Sequence, residues 1–168
     1  MSPNLKFNRG FTLIELVVVF SVIGILSVLG IAGFKEYNKV QTLQTAAHDV
    51  ATTAKLAKSR ALSQVKAGTQ CGEPRVLKGY QLHLTKESGV FNRYRLKIHC
   101  VDSVGADWFY AIVNKYLPKN IVFGGTDPIN FYFPVLKGGV ETNGQIVLTG
   151  YGRTKTILID SLGGVRVQ

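Results

Sequence analysis

The sequence predicts an α+β chain: one long N-terminal α-helix, its first half transmembrane, packed on an antiparallel β-sheet or sandwich. Three observations predict it. An apolar segment runs from Phe11 to Phe34 with one ionisable side chain, Glu15. Residues 35–66 keep a helical period but become amphipathic. From residue 67 onward, short alternating runs are separated by Gly-rich turns, the mark of antiparallel sheets. A chain of 168 residues holds one domain of ordinary size beside such a helix.

Met1 to Gly10 is polar and basic, with Pro3, Asn4, Lys6, Asn8 and Arg9, and reads as a leader. One helix is expected from Phe11 to about Val65. Residues 11–34 are apolar all round, as a membrane span must be, and long enough to cross a hydrocarbon core of about 30 Å. Lys6 and Arg9 precede the span, so the positive-inside tendency keeps the N-terminus cytoplasmic. Gly24, Gly30 and Gly33 would each cost about 1 kcal/mol relative to Ala in water, but in a membrane they permit close helix packing. In residues 35–66, Tyr37, Val40, Leu43, Ala47, Val50, Ala54, Ala57 and Ala61 form one stripe. Lys35, Lys39, Gln41, Asp49, Lys55, Lys58 and Arg60 largely fall off it. Ala46, Ala47, Ala51, Ala54 and Ala57 allow a sheet to approach closely. At 1.5 Å per residue such a helix reaches about 80 Å. No compact domain needs that length; a filament of parallel helices does.

Ala67 to Pro74 breaks the helix, and residues 67–168 form the β head. Tyr80–Thr85 alternates with period two, Lys86–Gly89 is a turn, and Tyr94–Cys100 alternates again. Asp102–Gly105 turns the chain into a third strand, Trp108–Asn114. Ile121–Phe123, Ile129–Phe133, Gln145–Thr149, Thr154–Asp160 and Val165–Val167 complete the set, with turns at Gly138-Gly139 and Asn143-Gly144.

Glu15 sets the functional question. A carboxylate within an apolar span costs about 2.5–3.5 kcal/mol even on lenient insertion scales. A cut between Gly10 and Phe11 would give Phe11 a positive α-amino group. That amine can pair with its own Glu15, one helical turn away, or with the Glu15 of a neighbouring copy. The second pairing also sets a register between helices. A secretory signal would need a small-residue cleavage site after a shorter apolar region without an internal acid.

From Gly10 through Phe11-Thr12-Leu13-Ile14-Glu15-Leu16 the chain resembles the type IV pilin and pseudopilin family. The resemblance implies cleavage after Gly10 by a prepilin peptidase, N-methylation of Phe11, and a role for Glu15 in guiding subunits into a helical filament. It implies as partners other pilin or pseudopilin subunits, the prepilin peptidase/methyltransferase and an inner-membrane assembly platform. The subunit would first sit in the inner membrane as a single-pass protein, then join a periplasmic or extracellular filament. Many type IV pilins carry a Pro where this chain has Ala32, so any loosening of this helix rests on its glycines. The layout is most similar to GspH/FimT-type minor pilins and pseudopilins, through Ala54–Ala61, the β-rich remainder and the closing Ile157–Val167. Some FimT-type subunits bind DNA through arginines near the C-terminus. In the matching stretch, Gly163–Val167, a Gly replaces one Arg and only Arg166 is retained. Arg153 and Lys155 on the preceding strand are further DNA-binding candidates. Each cation that neutralises a phosphate makes binding more salt-dependent.

Composition fits such a chain. Net charge is +10 and the pI near 9.8, which suits acidic partners such as nucleic acid or an anionic membrane surface. Cys71 and Cys100 leave two readings open, one disulfide or two buried thiols. A disulfide would close a loop worth about 3–4 kcal/mol by the chain-entropy model. His99 adjoins Cys100, but with His48 and His83 it fits no metal-ligand spacing, and no metal or cofactor is expected. Ser63, Ser88, Ser103 and Ser161 lack an activating elbow or box. Asp102 and Asp107 are expected to cap turns, and Asp160-Ser161 before Gly163-Gly164 to form a hairpin turn. There is no P-loop and no dinucleotide fingerprint. The expected function is a structural filament subunit rather than an enzyme, with a DNA-binding minor pilin acting in DNA uptake as the alternative.

Overall fold

The computed structural model describes residues 11–66, 69–126 and 129–168, except for the side chains of residues 28–33. The expected leader, residues 1–10, lies outside the described residues, as do Ala67 and Gly68 of the helix break and the surroundings of Gly30 and Gly33. Helix α1 spans Leu13–Leu62. The chain divides into two compact units, Met1–Asn38 and Lys39–Gln168.

In the first unit α1 is held by local bonds. The Ser21 hydroxyl donates to the Val17 carbonyl at 2.8 Å, and the Ser27 hydroxyl to the Ile23 carbonyl at 2.7 Å. Both hydroxyls are thereby satisfied within their own helix, so neither adds an unpaired polar group to an apolar exterior.

In the second unit, the end of α1 and two antiparallel sheets share one core. Strands β1 (Val76–Glu87), β2 (Val90–Val101), β3 (Asp107–Tyr116) and β5 (Ile129–Pro134) form one sheet in the order β3-β2-β1-β5. Strands β4 (Ile121–Phe123), β6 (Gly144–Gly150), β7 (Arg153–Ile159) and β8 (Val165–Val167) form the other in the order β4-β6-β7-β8. Leu43, Ala46, Ala47, Val50, Ala51, Ala54, Ala57 and Ala61 form the buried face of the helix. Their small side chains leave room for Tyr80, Leu82, Leu84, Leu96, Ile98 and Phe133 of the first sheet, all buried. Ile121, Ile146, Leu148, Ile157 and Ile159 fill the core from the second. Phe123 of β4 joins the sheets, with its ring 5.3 Å from Phe91 and 6.1 Å, edge-on, from Tyr94. Emptying one of these positions, as in Leu82→Ala, would cost about 2–5 kcal/mol.

Helix α1 ends without a glycine. Gln64 takes the left-handed conformation (φ 49°), and the Val65 N–H reaches back to the Arg60 carbonyl at 3.2 Å. The Leu136 N–H donates to the Ala61 carbonyl, and the buried Tyr80 hydroxyl donates to the Val65 carbonyl. The last turn is thus satisfied by the sheet it packs on.

Several expectations need correction. The buried stripe starts at Leu43: Tyr37 is 63% exposed and Val40 only half-buried. Strands β1 and β2 run beyond the alternating segments Tyr80–Thr85 and Tyr94–Cys100. Their pairing is shifted at Leu77/Gly79 and at Thr85/Lys86, and such shifts erase strict alternation near strand ends. The turn joining them narrows to Ser88-Gly89, both at positive φ, a two-residue hairpin loop. Asp107 does not cap a turn; it opens β3 and pairs with His99.

One buried phenol ties helix to sheet. The Tyr94 hydroxyl donates to Asp49 Oδ2 at 2.5 Å, and Lys115 Nζ donates to Asp49 Oδ1 at 2.7 Å. Burial works against the Asp49 charge, but the hydrogen bonds from Lys115 and Tyr94 outweigh it and hold the carboxyl below its ordinary range. Burial, then Asp49, pushes the Tyr94 phenol well above its usual range. A carboxyl with a depressed folded pKa stabilises above its unfolded value, and that contribution is lost as pH falls through the folded one. Asp49→Asn should therefore cost about 1 kcal/mol at neutral pH, since both bonds are partly screened by solvent. It should also flatten the decline in stability below about pH 4. Urea unfolding of both proteins at neutral and acid pH checks this, and parallel curves would remove Asp49 as a source of the decline.

Candidate functional site

Gly10, on one side of the expected cleavage point, lies outside the described residues. Phe11 and Thr12 precede α1, and Phe11 is 81% exposed. Thr12 is the N-cap: its Oγ1 accepts the Glu15 N–H at 3.3 Å, while its carbonyl accepts the Leu16 N–H at 3.2 Å. Thr12-Leu13-Ile14-Glu15 therefore has the residues of a capping box, with the acid at the third helical position. A carboxylate in the first turn also meets the positive end of the helix dipole. The Thr-x-x-Glu spacing in the sequence alone carries this second reason for an acid at position 15.

Beyond Glu15, Leu16, Val17, Val18, Phe20, Ile23, Ile25 and Leu26 are all exposed. A soluble monomer rarely presents so continuous an apolar surface. Among the described residues no helix is long and apolar enough to cross a membrane. In the expected span the described side chains are those of residues 11–27, an unbroken stretch short of the roughly 20 residues a span needs, and Phe34; the side chains of residues 28–33 lie outside the described ones.

In the head, Cys71 and Cys100 are joined in a disulfide with Cα atoms 5.6 Å apart. The bridge ties the segment after the helix to the end of β2. Asp102 organises the next turn: its Oδ1 accepts the N–H groups of Val104 and Ala106, and its Oδ2 accepts Trp108 Nε1–H. Those bonds, from Ala106 and then Trp108, hold its carboxyl below the ordinary range. Asp160 Oδ1 accepts the Gly164 N–H at 2.6 Å in the β7–β8 turn. Gly164 has no room for a side chain there, since an added Cβ would lie 2.4 Å from that carboxylate.

The DNA-binding candidates do not converge. Arg153 and Lys155 share a face of β7 with the buried Ile157 and Ile159. Arg166 lies opposite Leu158, on the other face of the sheet. Register, which sequence proximity cannot supply, separates Arg166 from the other two.

Sequence reading missed a polar array on the other sheet, β3-β2-β1-β5. His99 Nδ1 lies 2.7 Å from the Tyr132 hydroxyl and its Nε2 2.8 Å from Asp107 Oδ1. Its ring stacks on Phe109 at 4.3 Å. Burial, then Glu141 and Asp107, raises the Tyr132 phenol to about 12. Gly79 makes room for that phenol, for an added Cβ would stand 2.5 Å from the Tyr132 oxygen. The array contains no serine, threonine or cysteine nucleophile. Among the described residues no three His, Cys, Asp or Glu side chains cluster as metal ligands.

The chain matches no curated protein and no solved structure. Residues 5–31 match the prokaryotic N-terminal methylation motif, a stretch that contains Gly10, Phe11, Thr12 and Glu15. That motif, which includes the start of a helix whose later part packs on antiparallel sheets, supports a type IV pilin-like subunit.

Proposed function

We propose that the chain is a minor pilin or pseudopilin, of the GspH/FimT type, in a type IV pilus or a type II secretion-like filament. A prepilin peptidase cuts after Gly10, and the new Phe11 amine is methylated. Before assembly the subunit is held in the inner membrane by residues 11–34, with its N-terminus cytoplasmic and its head outside. An assembly platform then extracts it into the filament, where Glu15 pairs with the Phe11 amine of a neighbouring subunit.

The observation that carries this reading is the methylation motif at residues 5–31, within which the apolar side chains from Phe11 to Leu26 are exposed. Such a surface needs lipid or other helices around it. The work proposed is assembly rather than catalysis.

Mass spectrometry of the protein purified from its host tests the processing step. The expected mature N-terminus is methylated Phe11. Recovery of an intact Met1 from the assembled or surface-exposed form would overturn the reading.

A further inference from the structure

The outer face of the β3-β2-β1-β5 sheet carries a row of cations that the proposed pairing of Glu15 with Phe11 does not involve. Arg93, Arg95 and Lys97 alternate along β2 with the buried Tyr94, Leu96 and Ile98, so all three point away from the core. They follow one another at about 6.7 Å, two residues of strand rise. Like charges this close repel, and partial burial adds to the cost. Burial, then Arg95 and Arg93, pushes the Lys97 ammonium below its ordinary range.

Only the first of the three is neutralised. Arg93 pairs with Glu87, donates from Nε to Asn114 Oδ1 at 2.9 Å, and lies 5.5 Å from the Tyr116 ring centre. Arg95 and Lys97 have no ion pair among the described residues, and the buried Arg95 Nε has no hydrogen-bond partner there. Their cross-strand neighbours are uncharged or weakly basic: His83 and Asn114 beside Arg95, Gln81 and Ala111 beside Lys97. A half-buried, uncompensated pair of cations among polar side chains is complementary to an anion.

Aromatic rings flank this row on the same face. Phe109 of β3 stands opposite His99, and Tyr116 stands opposite Arg93. They are 45% and 49% exposed, on an edge strand. A cationic track bordered by exposed rings is the arrangement that holds a single strand, whose phosphates meet the cations while its bases stack. In a duplex the bases are stacked on one another and are not free to meet the rings, and a polyanion without bases would leave the rings unused.

We propose that this face binds single-stranded nucleic acid, with phosphodiesters on Arg95 and Lys97 and bases stacked on Phe109 and Tyr116. This site is separate from Arg153, Lys155 and Arg166 and does not depend on the filament reading.

The test is fluorescence anisotropy of a labelled oligothymidylate with the full-length protein in a neutral detergent, titrated with salt. An abasic oligomer, heparin and duplex DNA serve as competitors. The wild type should bind the oligomer and prefer it to all three competitors. Arg95→Gln with Lys97→Gln should weaken binding at least tenfold and reduce the salt slope by about 1.4, two single-strand phosphate contacts. Phe109→Leu should weaken the oligomer but not heparin. Lys97→Arg, which keeps the charge, should bind as wild type and guards against a folding defect in the double variant. Absence of binding by the wild type at low salt would overturn the proposal. So would a double variant that melts and binds like wild type, or competition by heparin or duplex equal to that of the single strand.

Discussion

Removing the bridge between Cys71 and Cys100 should lower the thermal midpoint of the head by roughly 10 °C. The two cysteines are 29 residues apart, and by the chain-entropy model a loop of that length contributes about 3–4 kcal/mol by restricting the unfolded chain. Both are buried, so the comparison is best made with Cys71→Ala and Cys100→Ala together, which leaves no buried thiol or hydroxyl. The chain between the helix and β1 is fastened by the Tyr80 hydroxyl on the Val65 carbonyl and by Arg75, whose guanidinium lies 4.8 Å from the Trp108 ring centre. Loss of the bridge therefore loosens the joint between helix and sheet more than either sheet itself. Calorimetry of the wild type, with and without reductant, against the double variant measures the effect. A midpoint that moves by less than about 2 °C would show that the bridge does not restrict the unfolded chain as this loop length requires.

The elements were legible where local pattern decides them. Tyr94–Cys100 alternates because every second residue enters the core, and the Ala-rich stripe of α1 is the face that packs. What was not legible depends on register and on contacts distant in sequence. The division into two sheets follows from β5 pairing with β1 across an intervening β4, which no local signal announces. Arg166 looked close to Arg153 and Lys155 along the chain, yet its pairing with Leu158 puts it on the opposite face. Asp107 resembled a turn residue until β2 and β3 set it against His99. The row Arg93, Arg95, Lys97 was visible in the same alternation that located β2.

Replacing Glu15 by Ala should leave membrane insertion and cleavage after Gly10 intact and reduce filament yield at least tenfold. The expectation rests on the proposed pairing of Glu15 with the Phe11 amine of a neighbour. In an apolar bundle an amine without its carboxylate is a buried, uncompensated charge, and breaking such a pair costs several kcal/mol per contact. A tenfold loss corresponds to only about 1.4 kcal/mol, so even a well-hydrated pair would produce it. The capping geometry supplies a rival explanation, because a residue at the third helical position also affects how the helix starts. The Thr12 Oγ1 bond is to the backbone N–H of residue 15 and survives any side-chain change there. Glu15→Gln separates the two roles. It keeps the length and hydrogen-bonding capacity that a capping box uses but carries no charge. If pairing with a cation sets the register, Gln should fail as Ala does. If the cap is what matters, Gln should assemble like Glu and Thr12→Ala should fail instead. Shearing of surface filaments followed by quantitative immunoblotting reads all three variants, and normal filaments from Glu15→Gln would overturn charge pairing as the assembly mechanism.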